Sequence, residues 1–210
     1  MALNPTSRLH CLRFTRPQNH CLCELIPYLD SRTRILLLQH SSEVKHPLNT
    51  ARLAMLGLRN ATLLVGETFD TLPILLAQEH YQACLLFPGE TAQQLVQNHT
   101  HNDAKPLLLV VPDGTWRKAR KILHMNPVLA TLPRVTLPTG LVSRYRLRKA
   151  SAEGAVSTLE AIVCALNILE APCNFDALLR PFEALINGQI AAMGDDVFLR
   201  NYGEKEQLKP

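Results

Sequence analysis

Five short apolar runs recur along the chain, at Arg34–Gln39, Ala61–Val65, Ala83–Phe87, Leu107–Val111 and Val135–Leu137. They do not alternate polar with apolar positions, and Leu107–Val111 is apolar throughout, the pattern of strands buried on both faces. Between them the period changes to that of helices. The loop at Pro47 and Asn49 enters a helix that runs to about Leu58, and Pro73 is tolerated in the first turn of a helix over Leu72–His80. Thr91–His99 is polar enough for an exposed helix, and two longer apolar stripes predict helices over about 152–169 and 176–192. The last dozen residues are expected to fray. Strands alternating with helices predict an α/β fold, a mostly parallel sheet with helices on both faces.

The apolar run Leu107–Val111 ends at Asp113-Gly114-Thr115-Trp116-Arg117-Lys118-Ala119-Arg120-Lys121. Asp-Gly breaks the strand, and Thr115 is a suitable N-cap for the helix that follows. On that helix Trp116, Ala119 and Leu123 share one side, while Arg117, Arg120, Lys121 and His124 share another. A carboxylate therefore sits at the carboxyl end of a buried strand, beside a helix N-terminus and a strip of cations. In open α/β sheets ligands bind at that edge. The plainer account also fits the local pattern: Asp-Gly is a common turn, and basic residues on a helix usually face water. In the helix from 152, Glu153, Ser157, Glu160 and Asn167 form a narrow polar strip, which either faces water or lines a site.

Composition narrows the choice of partners. The 210 residues, 47% hydrophobic, suit one domain over 34–200, preceded by a small cysteine-containing segment over 1–33. The net charge of +4 is modest, but Arg117–Lys149 holds nine Lys or Arg and no Asp or Glu. A block of one sign attracts polyanions, nucleic acid first, although it also serves solubility. No apolar run approaches the ~18 residues that span a bilayer, and the N-terminus lacks the apolar core of a signal peptide. Six cysteines, two of them within apolar stretches, suggest a reduced, cytoplasmic protein. Cys11, Cys21 and Cys23 cluster with His10 and His20, and so are candidate zinc ligands. A remnant knuckle that packs without metal is the alternative.

Asp113, Thr115 and Trp116 resemble the signature of the DTW-domain family, bacterial tRNA-uridine aminocarboxypropyltransferases. Further strings resemble that family too: Pro47-Leu48-Asn49-Thr50-Ala51-Arg52-Leu53, where family members have Gly for Ala51; Phe87-Pro88; and Ser143-Arg144-Tyr145-Arg146-Leu147-Arg148 followed by Ala152-Glu153-Gly154. The family's Cys-x-x-Cys pair is incomplete here, because Phe14 stands at its second position. The resemblance implies a SPOUT-like fold with a C-terminal trefoil knot, its loops at Phe87-Pro88-Gly89, Asp113–Trp116 and Leu137–Tyr145. It implies transfer of the 3-amino-3-carboxypropyl group of S-adenosylmethionine to N3 of a tRNA uridine (acp3U), in the variable loop, with methylthioadenosine released. A SPOUT-type RNA methyltransferase and a non-catalytic RNA-binding module are the alternatives.

Roles follow from that chemistry. N3 of uracil is a poor nucleophile until it loses its proton, and Asp113 is the expected base. The donor is expected against Leu86, Phe87, Pro88, Gly89, Gly114, Thr115, Trp116, Leu137, Leu141, Ser143, Tyr145 and Arg148, with a cation or backbone amides meeting its carboxylate. Lys45, Arg52, Arg117, Lys118, Arg120, Lys121, Arg144 and Arg146 are the expected tRNA contacts. Trp116 either stacks on a base or anchors its helix in the core. Cys11, Cys21 and Cys23 are the expected metal ligands. No membrane and no protein partner is implied.

Overall fold

The computed structural model describes residues 9–14, 16–97, 105–147 and 154–202. Six strands, β1 (Arg34–Gln39), β2 (Ala61–Val65), β3 (Gln82–Leu86), β4 (Gln93–Gln94), β5 (Leu107–Asp113) and β6 (Arg134–Thr136), form one sheet in the order β2-β1-β5-β3-β6-β4. Every pairing is parallel. β5 therefore lies inside the sheet, flanked by β1 and β3, and its register sets Asp113 opposite Gln39. β6 enters between β3 and the short edge strand β4.

Because side chains alternate across a strand, each central strand feeds two cores. Ile35 and Leu37 of β1 and Leu107, Leu109 and Val111 of β5 face α1 (Thr50–Gly57), α4 (Thr158–Leu169) and α5 (Leu179–Met193) in the larger cluster. Leu36, Leu38, Leu108 and Val110 face the opposite way, onto α2 (Leu72–Leu76), α3 (Trp116–Met125) and the 3-10 turn Pro127–Thr131. This is why the strands are apolar at successive positions: neither face meets water. Leu109 is fully buried, and truncation of such a residue to Ala costs about 2–5 kcal/mol. Ala51, which replaces the expected Gly, is fully buried on α1. The N-terminal segment shares the larger core, where Phe14 is buried and Cys11, Leu22 and Cys23 pack at its edge.

Four segments differ from the sequence expectation. Thr91–His99 holds no helix among its described residues. Gln93 and Gln94 instead pair with Val135 and Thr136, and Leu95 donates its N–H to the Thr136 carbonyl at 2.8 Å. The free edge of β6 and the burial of Leu95 outweigh a weak helix propensity there. The helix after Pro73 stops at Leu76, and α4 begins at Thr158, where Ser157 and Glu160 form a capping box. Of the last dozen residues, 199–202 belong to α6 (Asp195–Tyr202), which follows α5 and stacks Phe198 on Tyr202, and the remainder lie outside the described residues.

Candidate active site

Gln39 and Asp113 end neighbouring strands at the carboxyl edge of the sheet, and both are buried, 1% and 7% exposed. One hydrogen of the Gln39 amide goes to Asp113 Oδ2 at 2.8 Å and the other to Asn49 Oδ1 at 2.9 Å. Asn49 caps α1 through the same oxygen, which accepts the Arg52 N–H at 3.1 Å. On the other side Thr158, the first residue of α4, donates its hydroxyl to Asp113 Oδ1 at 2.5 Å. Each carboxylate oxygen is thus held by a donor of fixed position. The N-terminal residue of α4 lies beside the group, at the helix end that favours negative charge.

Burial nevertheless pushes the Asp113 carboxyl above the usual carboxylate range, and the bonds from Thr158 and Gln39 offset this only in part. Glu43 raises it further, and His46 opposes. A carboxylate so placed is a stronger base than one in water.

Asp113 opens on a cleft of about 1390 Å³. Leu86, Phe87, Pro88, Gly89, Gly114, Thr115, Trp116, Leu137, Leu141 and Tyr145, all expected at the donor, line it. Gly114 has φ +145°, so the turn that swings from β5 into α3 needs a residue without a side chain. Trp116 is 45% exposed and meets the Phe87 ring edge-on with centroids 5.6 Å apart. It is therefore a cleft-wall residue rather than a core anchor. Asn49, from the family-like Pro47–Leu53 string, lines the cleft as well; Glu43, His46, Thr158 and Arg134 also line it, and none of these four was marked for chemistry by the sequence. Gln39 had one local signal, a polar residue closing a run of four apolar ones.

Ser143 does not line the cleft. Its hydroxyl donates to Glu160 Oε2 at 2.9 Å, and Glu160 also accepts the N–H of Arg144 at 2.6 Å and of Ser157 at 2.7 Å. The polar strip on α4 thus faces neither water nor ligand at Glu160: the buried carboxylate ties the 137–145 loop to the helix that presents Thr158. Asn167, further along, accepts the Phe175 N–H at 2.7 Å. Arg148 and Glu153 lie outside the described residues.

The cation block is partly neutralised in space. Lys118 Nζ reaches Glu43 at 2.6 Å, and Lys121 Nζ reaches Glu67 at 2.6 Å. Lys121 in turn holds the Glu67 carboxyl below its usual range. Arg144 pairs with Glu183 at 2.6 Å, and Arg146 bonds the Asn187 side chain, both away from the cleft. Arg52 donates to the Arg13 carbonyl, at 2.6 Å from Nη2. Arg117 and Lys45 are exposed, and Arg120 is exposed on the cleft wall.

Away from the cleft, Cys11, Cys21 and Cys23 bring their sulfurs within 4.8 Å of one another. The Phe14 N–H donates to Cys11 Sγ at 3.4 Å, and Cys23 Sγ lies 3.4 Å from Cys11 Sγ. These contacts, the Phe14 N–H first, lower the Cys11 pKa to about 7, whereas burial raises that of Cys23 to about 12. Among the described residues no fourth ligand joins them. The donor set suits a thiophilic metal, and it is one short of the four ligands of a closed structural site.

Residues 8–190 match the DTW domain family. A Mus musculus protein described as tRNA-uridine aminocarboxypropyltransferase 2 is 31% identical over 191 residues, which cover 87% of this chain and 64% of that relative. The Drosophila melanogaster protein of the same description is 31% identical over 214 residues, covering 94% of this chain and 83% of the relative. An Arabidopsis thaliana tRNA-uridine aminocarboxypropyltransferase A is 27% identical over 197 residues, covering 76% and 72%. These relatives are eukaryotic, and the chain spans under two thirds of the length of the mouse protein. No solved structure matches the chain significantly.

Proposed function

Because the chain belongs to the DTW-domain family, we propose that it transfers the 3-amino-3-carboxypropyl group of S-adenosylmethionine to N3 of a uridine in tRNA. The observation that carries this reading is the buried Asp113 carboxylate, held at both oxygens on the wall of a large cleft. Single-ligand pockets measure roughly 300–1,000 Å³. A cleft of about 1390 Å³ has room for a nucleoside donor and an extruded base together. Leu86, Phe87, Leu137 and Leu141 supply apolar surface for the adenine, and Trp116 offers a partly exposed ring on which a base can stack.

The sulfonium of the donor makes its adjacent carbons electrophilic. Asp113 accepts the N3 proton as the new N3–carbon bond forms and the carbon–sulfur bond breaks. The bonding pair stays on sulfur, leaving neutral methylthioadenosine. Thr158 and Gln39 fix the base, and enforced orientation selects which carbon is attacked. The entry of β6 between β3 and β4 supports a SPOUT-like trefoil knot, with the loops at Phe87–Gly89, Asp113–Trp116 and Leu137–Tyr145 gathered at the cleft. The three clustered thiols support a zinc site completed by a ligand from outside the trio. Among the described residues no helix is long and apolar enough to cross a membrane.

Incubation with labelled donor and bulk tRNA, followed by nucleoside analysis, tests the reading. Methylthioadenosine and a uridine bearing the aminocarboxypropyl group are expected. S-adenosylhomocysteine as the co-product would overturn it in favour of methyl transfer, and turnover unaffected by Asp113→Asn would remove the proposed base.

A further inference from the structure

The donor carries a carboxylate on the group to be transferred, and a half-enclosed cleft must meet that charge. Arg144 and Arg146, close in sequence to the cleft loop, lie in a separate surface hollow with Glu183 and Asn187. Among the described residues two arginines line the cleft itself, Arg120 and Arg134. Neither makes an ion pair or a side-chain hydrogen bond to another described residue.

The two are placed differently. Arg120 is exposed on α3, one turn beyond Trp116. Arg134 is half-buried at the start of β6, and its guanidinium lies over the backbone of Gly89. A methyl group on Gly89 would sit 2.9 Å from Arg134 Nη1 and 3.4 Å from Cδ. The missing side chain at 89 thus makes room for a cation rather than for a ligand. Gly89 is not among the positive-φ glycines, so space and not backbone geometry is what position 89 supplies.

We propose that Arg134, seated over Gly89, receives the α-carboxylate of the donor, and so orients the aminocarboxypropyl chain toward the base held by Asp113. This rests on the aminocarboxypropyl-transfer reading above. A guanidinium presents two parallel N–H donors that match a carboxylate, and the half-buried setting limits competition from water. The alternative anion for Arg134, an RNA phosphate, is separated by the experiment below. Orientation at the carboxylate end decides whether the chain carbon or the methyl carbon faces the nucleophile, so the contact bears on product identity as well as affinity.

The test measures binding of S-adenosylmethionine and of its decarboxylated analogue, which keeps the sulfonium and adenosine, to the full chain by calorimetry. Arg134→Met should weaken S-adenosylmethionine about ten- to a hundredfold, the range for one charge-assisted contact. The decarboxylated analogue and tRNA should bind as to the wild type. Gly89→Ala keeps the cation but displaces its guanidinium, and should lose part of the same preference, which covers the case in which Arg134→Met fails to fold. Arg134→Lys should recover part of it. Equal loss on both small molecules, or loss on tRNA alone, overturns the proposal. Wild-type binding of neither small molecule would sink the functional reading itself. Wild-type binding that Arg134→Met leaves unchanged sinks only the role of Arg134.

Discussion

Asp113→Asn should separate stability from catalysis. The substitution keeps volume and removes a charge from a group 7% exposed. The Asn carbonyl can accept from Gln39 Nε2, and its NH2 can donate to Thr158 Oγ1, because a hydroxyl turns from donor to acceptor. No buried polar atom is therefore left unpaired. Burial has raised the Asp113 pKa in the folded chain. An acid shifted that way contributes stability that is complete below its unfolded value, about 3.9, and is lost as pH rises through the folded value. Above the folded value the wild type bears the full penalty, and the Asn variant does not. A gain of about 1–2 kcal/mol is of the size found when strained functional sites are relaxed. For a chain of this length it raises Tm by about 2–8 °C. Turnover should fall by about 10²–10⁴. Thermal melts at pH 4 and pH 7.5, beside single-turnover assays on tRNA, check both halves. A variant less stable than wild type at pH 7.5, or one whose turnover falls less than tenfold, would refute the reasoning.

Other perturbations probe the surroundings. Thr158→Val removes the hydroxyl that favours the charged form of Asp113. The acid limb of the pH–rate profile should move to higher pH, with activity at pH 7 down roughly tenfold and recovering at higher pH; a uniform loss at all pH values would argue against it. In salt-dependent tRNA binding, Arg117→Ala and Arg120→Ala should each reduce the slope by about 0.7–0.9. Lys118→Ala and Lys121→Ala should reduce it less, since Glu43 and Glu67 already neutralise those amines; equal effects would show that the ion pairs open on binding. Phe14→Cys restores a Cys-x-x-Cys spacing beside Cys21 and Cys23. It should lower metal-free stability by about 3 kcal/mol through loss of a buried ring. Added zinc should recover that loss, raising its melting temperature more than that of the wild type; no zinc-dependent shift in either chain rules the site out.

What the sequence determined is whatever depends on near neighbours. Successive apolar residues in Arg34–Gln39 and Leu107–Val111 can be satisfied only by strands covered twice, so the parallel α/β sheet was legible from them. The Asp113-Gly114-Thr115 step likewise carries its own strand end, turn and cap, and it located the cleft. Contacts between distant segments were decided by the tertiary structure. Gln39 and Thr158 stand 74 and 45 residues from Asp113, and only the β1–β5 register and the approach of α4 bring them to its oxygens. The block over Arg117–Lys149 looked wholly basic because its carboxylate partners, Glu43, Glu67 and Glu183, lie elsewhere in the chain. For the same reason Ser143 resembles a ligand residue in the sequence, although Glu160 takes its hydroxyl, and nothing local to Arg134 marks its seat over Gly89. Hydrophobic periodicity reports how each residue meets the core, whereas the sharing of charge and hydrogen bonds depends on which chain ends fold together, and that pairing leaves no local mark.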